Sequence, residues 1–112
     1  MKNPFSLEEK TILVTGAASG IGKATALLCG QMGADLVLVD LNEPGLKQTA
    51  EEIGKESTEI HALNLTNEEQ LEEMISALPK LDGVVSNAGI VYSLLAKFNE
   101  SKDMERIFNI NT

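Results

Sequence analysis

Thr11-Ile12-Leu13-Val14-Thr15-Gly16-Ala17-Ala18-Ser19-Gly20-Ile21-Gly22 is the stretch on which the fold turns. Its first five residues form a continuous run without polar alternation. Strands buried on both faces of a parallel sheet read that way. The glycines then recur as Gly-x-x-x-Gly-x-Gly, and beyond Gly22 the pattern turns helical. A strand, a glycine turn and a helix in that order open a βα unit. Gly16 suits the sharp exit from the strand, where a Cβ would be strained. Gly20 leaves room for a pyrophosphate to approach the backbone, and Gly22 lets the helix pack closely. The helix start offers unpaired N–H groups and a partial positive charge to such an anion. A glycine turn that merely begins a helix would show the same letters, so the placement between strand and helix carries the reading. Lys23 is followed by Ala24 rather than by Ser or Thr, which counts against a nucleoside-triphosphate P-loop.

The same alternation continues outward. Residues 36–40, 58–63 and 82–87 read as further strands. Helical stripes lie between them. Over residues 20–32 the stripe is Ile21, Ala24, Leu28 and Met32, with Thr25 on the same face. Over residues 43–56 it is Leu46, Ala50 and Ile53. Over residues 67–78 it is Leu71, Met74, Ile75 and Leu78. Thr66 or Asn67 caps that third helix, Glu68 and Glu69 suit its positive first turn, and Pro79 ends it. A last helix is expected from Ser101, carrying Met104, Ile107 and Phe108. The order is βαβαβαβα, and each crossover is long enough for parallel pairing. The pattern therefore predicts an α/β fold, a doubly wound parallel sheet with right-handed crossovers. A fifth strand is expected to follow, but Thr112 comes first. The chain thus reads as the first part of one larger domain, with its fourth strand at an exposed edge. Residues 1–112 alone are expected to be marginally stable, aggregating or dimeric.

Composition narrows the function classes. Nine Lys and Arg against 17 Asp and Glu leave a net charge of −8 over 112 residues. That balance disfavours nucleic acid and anionic membrane surfaces as partners. No apolar run reaches the roughly 18 residues a membrane span needs, and residues 1–10 lack the apolar core of a secretory signal. One cysteine, Cys29, excludes an internal disulfide and suits a reducing, cytoplasmic setting. With one histidine, His61, and one cysteine, no metal site is expected. Cys29 reads as a small packing residue on the first helix, and His61 as a structural residue with no identifiable acidic or serine partner.

Asp40 closes the second strand. A carboxylate about 20 residues beyond the glycines is placed to accept hydrogen bonds from an adenosine ribose. It would also repel the 2′-phosphate of NADP, and Ala17, Ala18 and Leu41 offer no positive charge to such a phosphate. The cofactor expected is NAD, with Leu41 beside it at the site. An aspartate that only caps a helix or closes a turn is the plainer alternative.

The pattern from Thr15 to Gly22 resembles the cofactor loop of the short-chain dehydrogenase/reductase family. Ser86-Asn87-Ala88-Gly89 is similar to that family's Asn-Asn-Ala-Gly motif, with Ser at its first position. Asn111, in Asn109-Ile110-Asn111-Thr112, matches the family's helix asparagine. The resemblance implies a Rossmann-like fold over residues 1–112. It also implies a role in an NAD-dependent oxidoreductase that interconverts an alcohol and a carbonyl compound. By the same resemblance Gly16, Ser19, Gly20, Ile21 and Gly22 hold the pyrophosphate and nearby ribose, and Asp40 the adenosine ribose. Asn64 stands where many members have an aspartate that accepts from the adenine amino group. Leu65 offers its N–H to the adenine ring. Asn87, Ala88 and Gly89 line the nicotinamide-side ribose, and Asn111 anchors a water chain at the catalytic centre. The family's Ser and Tyr-x-x-x-Lys find no match. Tyr92 and Lys97 stand one residue too far apart and read as loop and surface residues. The 112 residues are therefore expected to be inactive alone, and the full-length protein to be a homo-oligomer with a small-molecule substrate. A 3-oxoacyl-carrier-protein reductase is one substrate reading, although such enzymes commonly prefer NADPH and Asp40 argues for NAD. A non-catalytic dinucleotide-binding or interaction module is the alternative. The sugar-nucleotide epimerases, with Gly-x-x-Gly-x-x-Gly, fit less well.

Overall fold

A computed structural model of the chain describes residues 6–78 and 80–85, together with the backbone of Asn109–Ile110. In chain order the elements are β1 (Thr11–Thr15), α1 (Gly20–Gln31), β2 (Asp35–Asp40), α2 (Glu43–Ile53), β3 (Glu59–Ala62), α3 (Glu68–Ala77), β4 (Gly83–Val85) and β5 (Asn109–Ile110). The strands form one sheet in the order β3-β2-β1-β4-β5. Every pairing is parallel, with Leu13 of β1 in register with Val37 of β2 and Val84 of β4. The expected doubly wound, Rossmann-like sheet is what the chain forms.

The continuous apolar runs are explained by two layers of helix. On one face Ile12, Val14, Leu36, Leu38 and Val85 pack with Ala26 of α1 and Leu46 of α2. On the other, Leu13, Val37, Val39 and Val84 pack with Leu71, Met74 and Ile75 of α3. Alternate residues of one strand thus serve opposite layers, so neither face tolerates a polar residue. Asn42 and Asn67 cap α2 and α3, their side chains accepting from the N–H groups of Gly45 and Gln70 at 3.1 Å each. Gly54 ends α2 in the left-handed conformation, with φ 74°. No helix among the described residues is long and apolar enough to cross a membrane.

Three expectations change. First, the stripe assigned to the core side of α1 faces outward: Ile21 is 66% and Leu28 56% exposed, and Ala24 is also exposed. The helix meets the sheet through Ala26, with Cys29 packed partly against the same layer. It meets α2 at Gly30, where a Cβ would lie 3.0 Å from a methyl carbon of Ile53. Small residues let the backbone come close, and large ones are left outside. Second, a fifth strand exists. Asn109–Ile110 pairs with Val84–Val85, so β4 lies inside the sheet and not at its edge. A helix starting at Ser101 therefore cannot run through Asn109; residues 101–108 lie outside the described residues. Third, His61 has an acidic neighbour, its Nε2 lying 3.3 Å from Oε2 of Glu59. In a strand, residues i and i+2 share a face, which brings the two together.

Candidate functional site

The carboxyl ends of β1, β2 and β3 converge on an open cleft of about 220 Å³, lined by Gly16, Asp40, Leu41, Leu63, Asn64 and Leu65. Gly16 leaves β1 with φ 67° and Gly20 enters α1 with φ 61°, the left-handed region that favours glycine. Gly22 serves a different need. A Cβ there would overlap the Gly16 carbonyl, lying 2.6 Å from its carbon. The first turn of α1 can sit on the loop only because that atom is missing.

The start of α1 differs from those of α2 and α3. Ser19 is its N-cap in extended conformation, yet its side chain makes no capping bond, and the first turn holds no acidic residue. In α2 and α3 an asparagine occupies that role and glutamates stand in the first turn. Among the described residues the leading N–H groups of α1 therefore have neither a capping side chain nor a first-turn counter-charge, the condition for holding a phosphate. Ile21 stands exposed in the same turn, and Leu41, 69% exposed, stands beside Asp40.

Asp40 ties two loops together. Its Oδ2 accepts from the Ala18 N–H at 3.1 Å and its Oδ1 from the Asn42 N–H at 3.0 Å. Each carboxylate oxygen keeps a further lone pair for a ligand hydroxyl. The turn role and the ribose role are thus compatible, while the capping of α2 falls to Asn42. Asn64 is arranged otherwise than expected. Its Oδ1 accepts from both the N–H and the hydroxyl of Thr66, at 2.9 and 2.7 Å. Both lone pairs are engaged, so what the Thr66 bonds leave over is Nδ2, a donor, where an acceptor was expected. Leu65 packs its side chain partly against the α3 layer while lining the cleft.

Gly16, Asp40, Leu41, Asn64 and Leu65 thus share one cleft, with Ser19, Gly20, Ile21 and Gly22 in the turn that follows Gly16. Asn87, Ala88, Gly89 and Asn111, like Tyr92 and Lys97, lie outside the described residues. Two residues were not anticipated: Leu63, which lines the cleft, and Thr49, a fully buried threonine bonded to the glycine loop. Thr49 is three residues beyond Leu46 and four before Ile53, so a hydroxyl on the inward stripe of α2 was the available signal. Among the described residues no cluster of His, Cys, Asp and Glu is arranged to hold a metal. Cys29 is half-buried, and burial raises its thiol pKa above the ordinary value.

A parallel βα sheet with a glycine turn, an open helix start and a strand-end carboxylate on one edge defines the Rossmann-like class. The chain belongs to the short chain dehydrogenase family, whose model matches residues 10–112. That family comprises oxidoreductases that use nicotinamide dinucleotides. A 3-oxoacyl-[acyl-carrier-protein] reductase of Rickettsia felis is 38% identical over 107 residues, covering 96% of this chain and 44% of the relative. An NAD-dependent glycerol dehydrogenase of Listeria innocua is 37% identical over 90 residues, covering 77% of this chain and 35% of the relative. A solved protein described as a short chain dehydrogenase, from Escherichia coli CFT073 and complexed with NADPH, superposes with a TM-score of 0.68 at 32% identity. That match covers 78% of this chain and 40% of the other. The chain spans less than half the length of these relatives.

Proposed function

We propose that the chain forms the NAD-binding part of an oxidoreductase that interconverts an alcohol and a carbonyl compound. The observation that carries the cofactor choice is Asp40, which lines the cleft together with Gly16, while no basic residue lines it among the described residues. Its carboxylate accepts ribose hydroxyls and repels a 2′-phosphate. The residues present fit a dinucleotide: the Gly22 backbone leaves no room for a Cβ, and the Ser19 hydroxyl is free of capping duty. Ser19, Gly20, Ile21 and Gly22 hold the pyrophosphate. Asp40 and Leu41 take the adenosine ribose, while Asn64 and Leu65 face the adenine. When bound, the nicotinamide supplies the hydride donor or acceptor. By their match to the family motifs, Asn87, Ala88 and Gly89 are assigned to the nicotinamide-side ribose and Asn111 to a water chain at the reacting centre. In the full-length protein a homo-oligomer and a cytoplasmic setting accompany this reading.

Titration of the protein with NAD, NADH, NADP and NADPH tests it. NAD and NADH are expected to bind at least about tenfold more tightly than their 2′-phosphorylated counterparts, a difference of about 1.4 kcal/mol. NADPH binding as tightly as NADH would sink the NAD reading and leave the family assignment standing. A second reading, reduction of a 3-oxoacyl thioester, is favoured by the name of the Rickettsia relative. Turnover of a 3-oxoacyl thioester with NADH, measured beside simple secondary alcohols with NAD, separates the two.

A further inference from the structure

Ala17 and Ala18 join Gly16 to Ser19, yet neither lines the cleft. Both are buried, at 0% and 9% exposure. The second βα unit grips them from several sides. The Ala17 N–H donates to the Val39 carbonyl at 3.3 Å, and the Ala18 N–H donates to Asp40. The Thr49 hydroxyl, itself fully buried in α2, donates to the Ala17 carbonyl at 2.8 Å. Gly45, one turn earlier in α2, has no side chain where a Cβ would lie 2.7 Å from that of Ala18.

We propose that Thr49 is a positioning residue of the dinucleotide site: by holding the Ala17 carbonyl, it sets the orientation of the turn formed by Ser19, Gly20, Ile21 and Gly22. The inference rests on the dinucleotide reading given above. A buried helical threonine ordinarily returns its hydroxyl to the carbonyl four residues earlier. Here that carbonyl, of Gly45, lies at 3.1 Å, and the shorter bond leaves the helix for the loop. The loop needs such a hold. Gly16 and Gly20 flank the alanine pair with positive φ, and neither has a side chain to pack, so side-chain anchoring of the loop falls to the pair between them. The Ala17–Ala18 pair is the buried, hydrogen-bonded part of the turn, and among the described residues α2 gives it one side-chain hydrogen bond, from Thr49. A shift of this pair would move the N–H groups at the start of α1 and loosen the Ala18 N–H from Asp40, whose other oxygen stays bonded to the Asn42 N–H.

Thr49→Val keeps the branched shape and burial and removes the hydroxyl that serves the Ala17 and Gly45 carbonyls, whereas Thr49→Ser keeps the hydroxyl. Three measurements on the same protein decide the matter: NAD affinity, adenosine affinity by NMR titration, and the exchange rate of the Ala18 amide. Valine is expected to weaken NAD by about tenfold and to speed Ala18 exchange by a similar factor. Adenosine, which carries no phosphate and meets the pair only through Asp40, should be weakened clearly less than NAD. Serine should restore NAD binding to within about twofold of the unaltered protein. A purely structural role would weaken adenosine and NAD alike. Equal losses of that kind, unchanged NAD binding in the valine variant, or failure of serine to restore it would each overturn the proposal. A protein that binds neither ligand before substitution would overturn the dinucleotide reading instead, and the Ala18 exchange rate would still report whether Thr49 holds the loop.

Discussion

At the residue scale the glycine loop is governed by what it lacks. Gly22→Ala forces a methyl group into the Gly16 carbonyl, so the loop must open or α1 must move. Overpacking of that kind costs about 1–3 kcal/mol. The expected result is a lower unfolding midpoint together with loss of NAD binding, read by thermal melting and by titration. A variant that melts lower but binds NAD normally would show that the turn tolerates displacement. Asp40→Asn acts through hydrogen bonds and charge together. One amide face can accept from only one of the two N–H groups that Asp40 now serves, and its NH2 meets the other donor to donor. NAD affinity is expected to fall by about tenfold or more, and discrimination against NADP to shrink, since charge-assisted bonds contribute about 1.5–3 kcal/mol. The places of the glycines in the turn and of Asp40 at the strand end were legible because both follow from residue type and spacing alone. The role of Asn64 was only half legible: nothing in its spacing says that the Thr66 hydroxyl turns back to take its oxygen. Thr49 was missed because its partner, Ala17, lies 32 residues away.

At the scale of elements, the three helix starts separate stability from binding. Asn42→Ala and Asn67→Ala each remove a side-chain acceptor from a capped N-terminus, and each is expected to cost about 1 kcal/mol of stability. Ser19→Ala removes no capping bond, so its unfolding free energy in urea should stay within about 0.5 kcal/mol of the unaltered protein. Its effect should fall on NAD affinity. A stability loss for Ser19→Ala equal to that of the asparagine variants would contradict this division. The helices also show where periodicity misleads. In α2 and α3 the large residues face the sheet, and Leu46, Leu71, Met74 and Ile75 were found by spacing. In α1 the close approach demands small residues, so Ala26 is buried and the larger Ile21 and Leu28 stand outside. A stripe weighted by hydrophobicity selects the wrong face of such a helix. β5 shows a second limit. Two residues carry no strand pattern, and Asn109–Ile110 is a strand only because β4 lies alongside.

At the scale of the whole molecule, one polar cluster fastens the ends of several elements opposite the cleft. Lys55, between α2 and β3, donates its ammonium to the carbonyls of Gly33 and Ala34 at 2.8 and 3.2 Å, just after α1. The same ammonium lies 3.5 Å from Asp35 at the start of β2, and Ser57 donates to that carboxylate at 2.7 Å. The Ser57 hydroxyl, and then the Lys55 charge, hold the Asp35 pKa below its ordinary 3.8. The unfolded chain therefore binds the proton more readily than the folded one. Asp35 contributes its stability in full above its unfolded pKa and loses it as pH falls through the lower, folded value. Asp35→Asn should thus lower the urea midpoint by a constant amount between about pH 5 and 7, and the gap should close below about pH 4. Unfolding of both proteins in urea across this range gives the comparison. A gap that persists undiminished at pH 3 would mean that Asp35 acts through the shape of its hydrogen bonds and not through its charge. A missing gap at pH 7 would mean that solvent screening cancels the cluster, as it does for many exposed ion pairs. Closure of the gap in acid would instead tie the α1–β2 turn, at the opposite end of β2 from Asp40, to the ionisation of a single carboxylate.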